Sequence, residues 1–169
     1  MISESFCFAR SVLVYILAYL YEVKGMGVVV KKISNISQLN QCLEIRRVVF
    51  IEGQKVPVDI EIDGRDGESE HFLLLIDESP SGTARVRYYD EVAKIERVAI
   101  LEKHQGKGLG KKLMQGIIDC LKEEKAVRKL FLGSQSHAIK FYENLGFTVC
   151  GEEYIEAGIP HKNMELAID

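Results

Sequence analysis

No two of the four cysteines stand in C-x-x-C spacing. Cys7, Cys42, Cys120 and Cys150 are scattered along 169 residues, which excludes a disulfide framework or a cysteine-rich zinc module and predicts reduced thiols in a cytoplasmic protein. There is no basic excess either. Lys and Arg number 22 against 25 Asp and Glu, a net charge of −3, so the electrostatic footprint of a nucleic-acid binder is missing. No apolar run reaches the roughly 18 residues of a membrane helix. Residues 11–21, S-V-L-V-Y-I-L-A-Y-L-Y, come nearest, and no small-residue cleavage site of a signal peptide follows them. Residues 1–26 are therefore an apolar extension with three open readings: a helix packed on the domain, a partner-binding segment, or sequence ahead of a start at Met26.

Linkers, internal repeats and low-complexity tracts are also missing, and 47% of the residues are apolar, enough for one ordinary core. A single domain is expected over residues 27–169. Its opening, G-V-V-V-K-K-I at 27–33, is β-branched and predicts a strand. Ser37 is placed to cap a helix over 38–50. Residues 52–70 are polar and broken by Pro57, Gly64 and Gly67, so a long loop is expected there. Strands are predicted over 71–76 and 83–89, around a turn at Ser79-Pro80-Ser81-Gly82, and again over 95–101.

From here the period changes. Leu109, Leu113, Ile117 and Leu121 recur every fourth residue, the stripe of an amphipathic helix. A strand at 129–132, a helix over 136–145 ended by Gly146, and strands at 147–150 and 164–168 complete the order. Such a succession predicts a layered α/β domain with helices on the faces of a mixed sheet.

The strand at 95–101 leads into H-Q-G-K-G-L-G-K-K at 104–112, which opens the helix. A helix start offers backbone N–H groups and a dipole to an anion. Glycines at 106, 108 and 110 do not make the dinucleotide fingerprint G-x-G-x-x-G, because position 111 is Lys. A P-loop fails as well, since Gly110-Lys111 is followed by Lys112. Gln105, Gly108 and Gly110 do satisfy Q-x-x-G-x-G.

With that loop, the preceding E-R-V-A-I at 96–100 and A-I-K-F-Y-E-N-L-G-F at 138–147, the sequence resembles the GNAT superfamily of N-acetyltransferases, within it a small bacterial branch of acyltransferases. Residues 49–57 and Gly158-Ile159-Pro160-His161 carry the likeness to that branch. The resemblance implies a mostly antiparallel central sheet flanked by helices, with one splayed strand pair that binds CoA. It implies acetyl-CoA as donor, no metal, and direct transfer to the primary amine of a small molecule in a ternary complex. Gln105, Gly106, Lys107, Gly108, Leu109, Gly110 and Lys111 would hold the pyrophosphate, and Val98, Ile100, Gln135 and Tyr142 the rest of the cofactor. Tyr142 would protonate the leaving sulfur and the Val98 N–H would serve the oxyanion. A homodimer is common among such proteins. A CoA-binding sensor without turnover is the alternative.

The base stays open. Glu96 is one choice, with a cross-strand ion pair to Arg85 or Arg87 as its bland alternative. His71, His137 and His161 are rival choices, each with a surface or hydrogen-bonded histidine as its bland alternative, and a water is a further one. Glu96, His71 and His161 are also assigned to the acceptor side. His104 would border the cofactor loop. Residues 52–70 carry Glu52, Asp59, Glu61, Asp63, Asp66, Glu68 and Glu70 against Lys55 and Arg65. They come close to an EF-hand loop, but Asp66 falls where an apolar residue is usual and a strand follows. An acidic rim for a cationic amine, or a merely solvated loop, are the remaining readings.

Overall fold

The computed structural model describes residues 27–124 and 126–168, so the N-terminal extension lies outside the described residues. Its first element, β1 (Val28–Lys32), pairs antiparallel with β2 (Glu70–Ile76), Val30 opposite Leu74. Between them runs α1 (Ile36–Arg46), which continues as a π-helical segment over Arg47–Gly53. Asn35 rather than Ser37 caps it, its side chain accepting from the Gln38 N–H at 3.0 Å. The extended backbone of Asn35 turns that side chain back over the first turn, whereas Ser37 lies within it.

The expected long loop contains one helical turn, α2 (Val58–Glu61), and a shorter turn at Asp66–Glu68. After β2 the chain reverses at Asp77-Glu78 into β3 (Ser79–Tyr89). Both turn residues have positive φ, 46° and 65°, which matches a two-residue hairpin to strand twist. The turn expected at 79–82 is instead strand. Pro80, with no N–H to donate, stands opposite Leu75, beside the register shift between Leu74 and Leu75.

Next come β4 (Val92–Ile100), α3 (Leu109–Lys122), β5 (Lys129–Gln135), α4 (Ile139–Glu143), β6 (Thr148–Val149), β7 (Tyr154–Glu156) and β8 (Ile159–Ala167). The sheet runs β1-β2-β3-β4-β5-β8-β6, with β7 also on β8. Its one parallel pair is β4 with β5; the others are antiparallel. The mixed sheet flanked by helices is the architecture expected.

Strand β2 is buried on both faces, which is why H-F-L-L-L-I reads as an unbroken apolar run. Phe72, Leu74 and Ile76 meet α3, whose Leu109, Leu113, Met114, Ile117, Ile118 and Leu121 are all buried. Burying six such side chains is worth on the order of 10 kcal/mol before chain entropy is set against it. Leu73 faces the other way, onto Cys42 and Ile45 of α1. Among the described residues no helix is long and apolar enough to cross a membrane.

Candidate active site

Strands β4 and β5 pair only where Val92–Lys94 faces Lys129–Phe131. Beyond Lys94 they part, leaving one side of β4's later backbone without a strand partner. A bulge adds to this. Arg85 pairs with Glu96 but Thr83 with Ala99, so β4 carries one residue more than β3 opposite it. Arg97 absorbs the extra residue with φ of 55°. The two strands enclose a cleft of about 260 Å³. Val98 and Ile100 line one wall, Gln135 and His161 the other, and Tyr142 also faces the cleft.

Gln105 joins the cleft to the glycine loop, its side-chain amide donating to the Ile100 carbonyl at 2.9 Å. Gly106 and Gly108 have φ of 72° and 75°, a conformation L side chains rarely adopt, and the space where a Cβ would stand is open. Gly108 caps α3 without a side chain, so the N–H groups of the first turn stay bare. Leu109 turns into the core. Lys111 is exposed on that turn, while the Lys107 ammonium donates to the Lys103 carbonyl at 2.9 Å. A cradle of this shape, free backbone on β4 and bare N–H groups on α3, fits a pantetheine arm ending in a pyrophosphate.

Tyr142 sits on α4 with its ring edge-on to Phe141 and Phe147, at centroid distances of 4.9 and 6.0 Å. It is 8% exposed, and burial alone pushes its hydroxyl up to about 12, so it is a full proton donor at neutral pH.

Glu96 lines the cleft but is engaged on every side. Its carboxylate accepts from Arg85 at 2.9 Å and Arg87 at 3.0 Å, and pairs with Lys94 at 2.8 Å. Burial would raise this carboxyl, yet Lys94 and the two arginines overcome it and hold it at about 2. A carboxylate so placed has little affinity for a proton, which favours the ion-pair reading over the base. His71 lies outside the cleft wall. It shares a cross-strand row with Arg85 and Glu96, 2% exposed beneath the acidic loop, its Nε2 3.0 Å from the Asp66 carbonyl. Burial lowers its pKa and keeps it neutral. His137 lines the cleft at an exposed position.

The acidic loop is turned inward. Arg46, 1% exposed, binds Glu61 and Asp66; Arg85 binds Asp63 at 2.7 Å and Asp66 at 3.1 Å. Arg97 donates to the Ile60 carbonyl at 2.8 Å and pairs with Glu61 at 2.8 Å. Three carboxylates of the supposed rim are thus spent on buried arginines, and Glu52 and Glu70 pair with Arg47 and Lys32. Neither the bonds of Arg46, Arg85 and Arg97 to this loop nor the Gln135 amide donating to Gln54 at 3.0 Å carries a local signal, since those partners lie 15 to 81 residues apart.

The fold and the cleft between its parted strands define an acyltransferase, and comparison with known proteins agrees. The description "Acetyltransferase (GNAT) domain" matches residues 51–168. YjcF, an uncharacterized N-acetyltransferase of Bacillus subtilis, is 35% identical over 131 residues, 77% of this chain and 93% of that one. ElaA of Escherichia coli is 32% identical over 134 residues, 77% of this chain and 88% of its own. The crystal structure of ElaA superimposes with a TM-score of 0.74 at 29% identity, covering 82% of this chain and 99% of that one. An acyl-CoA N-acyltransferase of Pseudomonas aeruginosa does so at 0.73 and 26% identity, covering 83% and 99%. The chain belongs to the GNAT acetyltransferase family.

Proposed function

We propose that the protein transfers an acetyl group from acetyl-CoA to the primary amine of a small molecule, by direct attack within a ternary complex. The observation that carries this reading is one cleft that holds the unpaired backbone of β4 and Tyr142, with Gln105 leading from it to the glycine loop at the start of α3. Acetyl-CoA supplies the activated thioester carbonyl; the chain supplies everything else. Val98 and Ile100 would bind the extended arm as an added strand would, and the N–H groups after Gly108 would take its phosphates. The Val98 N–H would meet charge developing on the carbonyl oxygen. Tyr142 would give its proton to the leaving sulfur.

In this reading Glu96 is a positioning group. Clamped by Arg85, Arg87 and Lys94, it fixes the bulge from which Val98 presents its N–H. The acidic loop gives no support to a cationic acceptor, because its inner carboxylates are already neutralised. Cys42, Cys120 and Cys150 are free thiols, which supports a reducing, cytoplasmic setting.

Titration calorimetry with acetyl-CoA tests the reading. Saturable binding is expected, weakened at least tenfold in Gly108→Val, with thiol release on addition of a primary amine. Absence of binding by the intact protein would sink it. Tight binding with no thiol release across a broad amine panel would point to a sensor.

A further inference from the structure

We propose that His161 is the base that removes the proton from the acceptor amine, with Tyr154 and Gly133 positioning its ring; this rests on the acetyltransfer reading above. Two contacts fix the imidazole, and a third seats the tyrosine that makes one of them. Its Nδ1 lies 2.8 Å from the Ile159 carbonyl, which accepts only, so Nδ1 carries a hydrogen and, in the neutral ring, Nε2 has the lone pair. Tyr154, opposite it in the β7–β8 register, stacks on it at 5.7 Å between centroids and 25° between planes. The Tyr154 hydroxyl in turn fills the space where a Cβ on Gly133 would come within 2.4 Å. Gly133 is thus the gap in β5 that lets the tyrosine lie across β8 beneath the histidine.

Nε2 has no protein partner among the described residues, yet it is not walled off. The sealed side-chain polar atoms without a hydrogen bond there are His71 Nδ1 and Arg97 Nε, the latter in its ion pair with Glu61. An imidazole on the cleft wall whose Nε2 is neither sealed nor hydrogen-bonded among the described residues can accept a proton from a ligand of the cleft. Its rivals are weaker. Glu96 is spent on three cations, His71 is outside the cleft, and His137 is exposed, with no side-chain hydrogen bond or ion pair among the described residues. Gln135 faces His161 from β5, Gln54 closes the other wall through its bond to Gln135, and Glu156 and Arg97 stand at the same cleft.

The protons balance. An acceptor ammonium gives one proton to Nε2, and the freed nitrogen bonds the acetyl carbonyl carbon as the carbon–sulfur bond breaks. Tyr142 gives a proton to the leaving sulfur. The nitrogen sheds its second proton, which restores Tyr142 through solvent, and His161 releases the first to bulk water. One proton leaves per turnover.

Two acceptor probes separate a base from a structural role: benzylamine, protonated at neutral pH, and aniline, neutral there. With saturating acetyl-CoA, His161→Gln and His161→Ala should lose about 10²-fold or more in thiol release to benzylamine, and little to aniline. CoA binding by calorimetry should stay unchanged. Added imidazole should restore benzylamine turnover to His161→Ala. Tyr154→Ala should lose turnover in the same selective way and Tyr154→Phe keep it. Equal losses with both amines, or no loss with either, overturn the assignment. If the wild-type protein binds CoA but releases no thiol with either amine, the acetyltransfer reading fails instead. Nitrogen-15 NMR then decides His161 alone: the Nδ1–H tautomer with a bare Nε2 upholds it, and the Nε2–H tautomer overturns it.

Discussion

Glutamine at position 96 would separate the two roles that a carboxylate on the substrate strand can play. As a base, Glu96 would contribute about 10²- to 10⁴-fold to turnover. As a clamp it matters through Arg85, 1% exposed, which it shares with Asp63 and Asp66. Breaking a buried pair costs about 3–5 kcal/mol, and the two remaining carboxylates should hold the loss for Glu96→Gln to about 2 kcal/mol. The expected outcome is a lower urea midpoint with turnover reduced less than tenfold. A loss of a hundredfold at unchanged stability would restore the base. Tyr142→Phe should behave oppositely. It keeps the edge contacts with Phe141 and Phe147, so stability and CoA affinity hold while thiol release falls about 10²-fold.

At the scale of elements, the seam between α3 and β1 is the tightest helix–strand contact of the fold that a single atom tests. A Cβ on Gly116 would stand 2.9 Å from Val30 Cγ1 and 3.0 Å from its Cβ. Alanine in a helix interior is ordinarily worth about 1 kcal/mol over glycine. Here overpacking against a β-branched side chain should outweigh that, leaving Gly116→Ala about 1–2 kcal/mol less stable. Adding Val30→Ala should return most of the loss, a coupling that a double-mutant cycle in urea measures. A plain gain for Gly116→Ala would mean that helix and strand are not in register as described. The same seam explains what could be read in advance. Helix α3 was legible because its stripe is local, and the glycine loop because left-handed backbone confines the choice of residue. The hairpin at Asp77-Glu78 was not, since Pro80 and Gly82 beside it carry stronger turn signals than the residues that turn. Nor was the inward face of the acidic loop. The charge pattern shows seven carboxylates, but only the fold brings Arg46, Arg85 and Arg97 beneath three of them. Tyr142 was placed by its motif, while the stack of Tyr154 on His161 follows from the two-residue turn at Ala157-Gly158, where only the glycine is a turn signal.

For the whole molecule, that buried charge network sets how stability follows pH. Glu96 is held at about 2 against an ordinary 4.5, and Asp63 and Asp66 are also held below their ordinary value by arginine. Groups depressed in the folded state bind protons more readily when unfolded. Their stabilisation is complete above the unfolded values and is lost as pH falls toward the folded ones. For Glu96 alone that is on the order of 3 kcal/mol, an upper figure given its shared partners. Glu61, raised by burial, works the other way and recovers part of this as it protonates. His71 acts earlier. Burial lowers its folded pKa below 6.5, so the unfolded chain takes up its proton first and stability begins to fall as pH drops through about 6.5. Urea midpoints measured from pH 8 downward should therefore decline in two stages, a shallow one below about 6.5 and a steep one below about 4.5. His71→Gln should flatten the first stage and leave the second. Because the pairs are buried, added salt should move the second stage little. A protein that grew more stable on acidification, or whose acid loss vanished in high salt, would have its carboxylates facing solvent and not the arginines beneath them.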